Sequence, residues 1–140
     1  MEAIDDTFDI SRGAIASRPF SQAFWDGSRE KKLLLQRCVR TGQYQFFPRP
    51  VSIATGRKDI EWCEVDGRGE VYSFSIARRG PGQFQQAVPY ALIIARLDVG
   101  VDIMANIVRC PAEELAIGMR VKPFWMPLPD GRHLLQFQPD

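Results

Sequence analysis

From Ile60 onward the chain is written in short apolar runs separated by turn residues, and several runs alternate apolar and polar positions at a period of two. Val71 to Arg78 sets Tyr72, Phe74 and Ile76 against Ser73 and Ser75, the pattern of a half-buried strand. Pro89 to Asp98 is strongly apolar and predicts a central strand, followed across Val99-Gly100 by a strand over Val101 to Val108. Pro111 to Leu115 predicts one helical turn, with proline at a first-turn position where its missing N–H is not needed and Gly118 as the stop. Met119 to Met126 and Arg132 to Phe137 predict a last hairpin around Asp130-Gly131. Asp66-Gly67-Arg68-Gly69 predicts another, joining Glu61–Val65 to the strand that starts at Val71. A loop rich in Gly, Pro and Gln covers Arg79 to Val88.

Upstream of Ile60 the texture differs. Phe20 to Lys31 predicts a short helix with Ser21 as its cap and with Phe20, Ala23 and Phe24 on one face. Gly27 weakens it, so packing must hold it. Leu33–Cys38 and Tyr44–Phe47 predict a hairpin turning at Thr41-Gly42. Phe46-Phe47-Pro48-Arg49-Pro50 ends it, because proline cannot donate to a ladder. Residues Met1 to Arg18 have no period and predict a loose arm. The expected architecture is therefore mainly β: an arm (1–18), a helix and ribbon-like hairpin (19–59), and a five-stranded OB-type barrel (60–140). Closure into a barrel suits short strands because it removes exposed edges. Tight strand-to-strand spacing argues against a parallel α/β sheet.

Composition narrows the function classes. With 140 residues, 45% of them hydrophobic, the chain can bury a core without staples. The formal net charge of +1 argues against a general nucleic-acid binder, which carries a basic surplus to neutralise phosphates. Cys38, Cys63 and Cys110 are odd in number and far apart, so a reducing cytoplasm suits them better than a disulfide framework. The acidic opening MEAIDDTFDI does not read as a signal peptide, and no apolar run approaches the roughly 18 residues of a membrane span.

Chemistry-bearing residues are sparse. His133 is the only histidine, with no carboxylate or nucleophile near it in sequence. A structural zinc site needs four ligands, which here would require all three cysteines and His133 to converge. Gly80-Pro81-Gly82 lacks the spacing and the Lys-Ser/Thr ending of a phosphate loop. Arg78 and Arg79 before it place two guanidinium groups at a loop mouth, where they either grip phosphates or sit solvated in a turn. Arg37, Arg40, Arg49, Arg57 and Lys58 interleave with Tyr44, Phe46 and Phe47 in the ribbon. That mix fits a single strand of nucleic acid, an adenine nucleotide such as coenzyme A, or a small core with a polar rim.

Several segments in order carry a resemblance. Phe24-Trp25-Asp26-Gly27, Leu33 to Cys38, Gln45 to Pro50, Glu61-Trp62, Gly67 to Ser73 and Ile117 to Val121 are similar to the acyl-CoA-associated OB-fold proteins with an N-terminal rubredoxin-like zinc ribbon, first described as domain of unknown function 35. The resemblance covers about Phe20 to Phe137. It implies a helix, a zinc-ribbon hairpin and an OB barrel in a non-catalytic accessory subunit. Such a subunit helps hold the coenzyme A part of an acyl-CoA for a thiolase-like or ketoacyl-synthase-like enzyme, an aldolase or an acyltransferase of lipid, sterol or ketide metabolism. Arg49, Arg78 and Arg79 are the residues whose charge and position fit the phosphates of coenzyme A. The family's ribbon carries two Cys-x-x-Cys knuckles; here they read Cys38-Val39-Arg40-Thr41 and Ser52-Ile53-Ala54-Thr55. One thiolate cannot hold a structural zinc, so the expected ribbon is metal-free and held by Leu33, Leu35, Tyr44, Phe46 and Phe47. Exposed ribbon aromatics would also support a homo-oligomer or a hetero-oligomer. A single-strand nucleic-acid binder is the alternative on fold alone, and an independent hydrolase built on His133 the least supported.

Overall fold

A computed structural model describes residues 15–140, so all of the expected arm before Ile15 lies outside the described residues. A 3-10 turn at Pro19–Ser21 leads into helix α1, Gln22–Arg29. The Ser21 hydroxyl does not cap α1; it accepts from Arg18 N and donates to Arg18 O, both at 3.0 Å, which closes the preceding turn instead. Phe24, Gly27 and Ser28 form the buried face of α1. Gly27 is required by close packing: a Cβ there would lie 2.9 Å from Leu34 Cγ and 3.0 Å from the Lys32 carbonyl oxygen.

Strands β1 (Leu33–Cys38), β2 (Tyr44–Gln45) and β3 (Ile60–Val65) form a three-stranded antiparallel sheet in the order β2-β1-β3. Every residue of β3 has a partner in β1, from Leu33↔Val65 to Cys38↔Ile60. The sequence-based grouping of residues 60–65 with the barrel, through a hairpin at Asp66–Gly69, is therefore corrected: β3 completes the ribbon, and the chain changes sheets at 66–68. Gly67 makes that crossing at a φ of +76°, and a Cβ there would stand 2.4 Å from Pro123 Cγ. The turn signature was real, but it serves a passage between two packed sheets.

Strands β4 (Gly69–Ala77), β5 (Tyr90–Leu97), β6 (Asp102–Ile107), β7 (Arg120–Pro127) and β8 (His133–Pro139) close a barrel in the order β4-β5-β6-β8-β7. Neighbours are antiparallel except β6 and β8, which meet in parallel at Ile107↔Phe137. One 3-10 turn, Ala112–Glu114, stands where the helical turn was expected, between β6 and β7. Alternation of β5 puts Ala91, Ile93, Ala95 and Leu97 inside, against Val121 and Phe137. Closure depends on Gly69, which pairs with Leu97 of β5 on one side and Val121 of β7 on the other. β4 departs from its expected pattern. Its register shifts between Val71 and Ser73, and Tyr72 ends up 49% exposed, whereas Phe74 and Ile76 beyond the shift pair with the buried Ile93 and Ala91. A bulge adds a residue to one strand and so breaks the period of two on which the sequence pattern relied.

Candidate binding surfaces

The three-stranded sheet brings the turns Cys38–Thr41 and Ser52–Thr55 together at Asp59, to which Arg40 donates at 3.2 Å. Cys38 in the first turn and Ser52 in the second are both buried. Gly42 N donates to Cys38 O at 2.8 Å, and Gly56 N donates to Ser52 O at 2.8 Å, so the two turns are built alike. Thr55 Oγ1 donates to Asp59 Oδ2 at 3.0 Å. The Cys38 thiol is lowered from its ordinary 9.0 to about 7, chiefly by the Ser52 hydroxyl and then by Thr41, which favour the thiolate, while burial opposes them. Among the described residues no group of three or more His, Cys, Asp and Glu side chains comes together in a metal-binding arrangement.

Beneath the proline-rich segment lie two buried glutamines that sequence reasoning did not single out. Gln36 and Gln45 face one another across β1 and β2. Gln36 pairs with the Arg49 backbone as a strand would, donating to Arg49 O at 2.7 Å and accepting from Arg49 N at 2.8 Å. Gln45 donates to Gln36 Oε1 at 2.8 Å and to Val51 O at 3.0 Å, and accepts from Ile53 N at 2.9 Å. The segment from Phe46 to Ile53 is thus pinned by two side chains that are 1% and 3% exposed. Leu33 and Leu35 are core residues, and Tyr44 and Phe46 pack partly against them, as expected. Phe47 does not join them: it is 67% exposed, with its ring 4.7 Å from that of Phe46.

The three arginines do not form one cluster. Arg49 is exposed on the ribbon, beside Gln36. Arg78 and Arg79 are exposed directly after β4, whose first residue adjoins the sheet crossing and whose nine residues carry the chain to the other end of the barrel. His133 has a structural task. Its Nδ1 lies 2.8 Å from Ser28 O, which requires the proton on Nδ1, and its backbone N donates to Ser28 Oγ at 3.2 Å. Next to it Arg132 pairs with Asp130 and lies 4.8 Å from the Trp25 ring centre, so α1 is fastened to β8. Cys110 is fully buried, and burial pushes its thiol up, away from nucleophile range. Cys63 sits in β3 of the ribbon sheet.

The outer face of β4, β5 and β6 is the side that OB barrels commonly use for oligonucleotides. Here it shows Tyr72, Leu92 and Met104, the last 67% exposed. Its guanidinium is engaged: Arg96 makes two bonds to Asp102, at 2.9 and 3.1 Å, and lies 3.8 Å from the Tyr72 ring centre. Arg120 is held likewise by Asp98 at 2.9 and 2.7 Å. No helix among the described residues is long and apolar enough to cross a membrane.

Comparison with known proteins places this arrangement. Residues 62–125 match the family model described as the ChsH2 C-terminal OB-fold domain. A "DUF35 domain-containing scaffold protein" of Methanocaldococcus jannaschii is 32% identical over 100 residues, 70% of this chain and 71% of that protein. The "3-oxo-4,17-pregnadiene-20-carboxyl-CoA hydratase alpha subunit" of Mycobacterium tuberculosis is 29% identical over 119 residues, 84% of this chain but only 37% of that protein. Among solved structures, a chain of the "Ltp2-ChsH2(DUF35) aldolase" superposes with a TM-score of 0.80 at 25% identity, over 90% of this chain and 98% of that one.

Proposed function

The chain belongs to the DUF35 family of OB-fold proteins, and we propose that it is a non-catalytic accessory subunit of an enzyme complex that acts on acyl-CoA thioesters in lipid metabolism. The observation that carries this reading is the fit of both sheets, ribbon and barrel together, onto nearly the whole of a chain from an aldolase complex. Duties of the chain's own reactive side chains support it. His133 fastens the helix, and Cys110 is sealed in the core. The partner, a thiolase-like, ketoacyl-synthase-like or aldolase enzyme, supplies the nucleophile or base.

The ligand in this reading is coenzyme A. Arg49 on the ribbon and the Arg78-Arg79 pair at the barrel end are two separate cationic positions, each able to take a phosphate of coenzyme A. The knuckles hold no zinc in this reading; Asp59, bonded to both Arg40 and Thr55, and the two glutamines do the holding. Coenzyme A titrated into the isolated chain by calorimetry tests the ligand, and an assay with simple acyl-CoA thioesters tests the role. The expected results are saturable binding weakened by Arg49→Ala or by Arg78→Ala/Arg79→Ala, and no turnover. Turnover abolished by His133→Ala would overturn the non-catalytic assignment.

A further inference from the structure

The ribbon tip combines exposed apolar side chains with uncompensated charge. Val39 and Ile53, each the second residue of a knuckle, are 50% and 54% exposed. Arg40 of the first knuckle and Thr55 of the second both donate to Asp59 Oδ2, at 3.2 and 3.0 Å, which sets the two knuckles side by side. Ser52 N donates to Arg57 O at 2.8 Å, and Val39 N donates to Asp59 O at 2.9 Å, so Arg57 and Lys58 border the same surface. Phe47 and Arg49 belong to the segment that the glutamines lock to Ile53. Residues 38–59 hold four cations against one carboxylate, in a chain whose overall balance is +1. That carboxylate, Asp59, pairs with Arg40 at 3.2 Å. Among the described residues no carboxylate lies within ion-pair distance of Arg49, Arg57 or Lys58.

We propose that the ribbon tip is the docking surface for the partner enzyme, and that the partner meets it with an apolar cleft rimmed by aspartate and glutamate. This rests on the accessory-subunit reading and goes beyond it by locating the interface and its chemistry. Burying Val39, Ile53 and Phe47 provides the apolar centre, and the unpaired cations provide orientation and a fast approach. A second copy of this chain does not fit, because a two-fold contact would set the same unpaired cations against each other. A nucleic acid fits less well, because Phe47 is the one exposed ring among the three apolar side chains, and Val39 and Ile53 offer no second ring on which a base can stack. Holding the segment with buried glutamines removes much of the ordering cost that a free loop would add on binding.

The test uses the full chain, tagged and purified from its own cells with the enzyme that accompanies it. That enzyme is identified by mass spectrometry, purified, and titrated with wild-type and variant chains. Arg57→Glu/Lys58→Glu is expected to weaken association by about tenfold or more, and added salt to weaken the wild type. Ile53→Asp should lose the complex, whereas Met104→Asp, on the barrel's outer face, should keep it. Unchanged melting temperatures confirm that the variants fold. If Met104→Asp loses the enzyme and the ribbon variants keep it, the surface is wrong and the accessory reading stands. If the wild type accompanies no enzyme, and instead forms a dimer or a nuclease-sensitive complex that Arg57→Glu/Lys58→Glu breaks, both the surface and the reading fall.

Discussion

Gln45 donates a 2.8 Å hydrogen bond to Gln36 across the β1–β2 pair, and the two joined side chains tie the proline-rich segment to the sheet through Arg49, Val51 and Ile53. Gln45→Ala removes the acceptor for Ile53 N and the donor for Val51 O at once. Leaving buried backbone groups without partners costs about 1–3 kcal/mol each, so a loss of at least about 2 kcal/mol is expected in urea unfolding. The Gln36→Ala/Gln45→Ala cycle should show coupling of about 0.5–3 kcal/mol, because both act on one network. Additive losses would mean the two side chains work independently.

Closure of the barrel at Gly69 is equally local. A Cβ there would stand 2.3 Å from Arg96 O and 2.7 Å from Leu97 Cα, and backbone atoms of a paired strand cannot step aside. Gly69→Ala is expected to cost more than the roughly 1–3 kcal/mol of ordinary overpacking and to strip the chain of its cooperative melting transition. Gly56→Ala is the contrast, since nothing lies within 4 Å there; its penalty comes only from the φ of +71° and should be about 1 kcal/mol.

Cys38 makes stability depend on pH. Its folded thiol titrates at about 7 against an ordinary 9.0, so the folded state releases the proton first. The stabilisation is fully present above the unfolded value, near pH 9, and is lost as pH falls through about 7. Urea midpoints should therefore rise between pH 7 and pH 9, and Cys38→Ser should remove that rise. A slope unchanged in Cys38→Ser would place its origin elsewhere.

The knuckles also permit a gain-of-function test. Thr41→Cys/Ser52→Cys/Thr55→Cys gives the two turns four thiols in all, the ligand number of a closed zinc site. Purified with zinc, that variant should carry about one equivalent per chain and melt at a higher temperature, because metal bound only by the folded state stabilises it. Wild-type protein should carry none by elemental analysis. One equivalent in the wild type would contradict the metal-free ribbon.

Much of the barrel was legible because its strands are short apolar runs bounded by turn residues, but that Ala91, Ile93, Ala95 and Leu97 of the apolar run Pro89 to Asp98 are the ones inside emerged only with the structure. β3 was misplaced because Asp66-Gly67 is a local turn signal, whereas its true partner, β1, is chosen by long-range pairing that no local pattern encodes. Tyr72 was misread because a bulge is silent in an apolar–polar alternation, whereas Phe74 and Ile76 pair with the buried Ile93 and Ala91 as the alternation expects. Gln36 and Gln45 were overlooked because glutamine reads as a solvent residue until the backbone groups that need it are located. Their occupation of the ribbon interior accompanies the outward position of Phe47, so the ribbon's exposed surface emerged only with the structure. For Arg49, Arg78 and Arg79 the sequence offered charge alone, and charge did not reveal that they stand on different bodies of the fold.

Native mass spectrometry of the tagged chain isolated from its own cells reads out its assembly state and its partner together. The expected spectrum is a defined assembly in which this chain is present in near-stoichiometric amount with a thiolase-like, ketoacyl-synthase-like or aldolase enzyme. A chain that emerges alone, or only with nucleic acid that nuclease treatment removes, would contradict it.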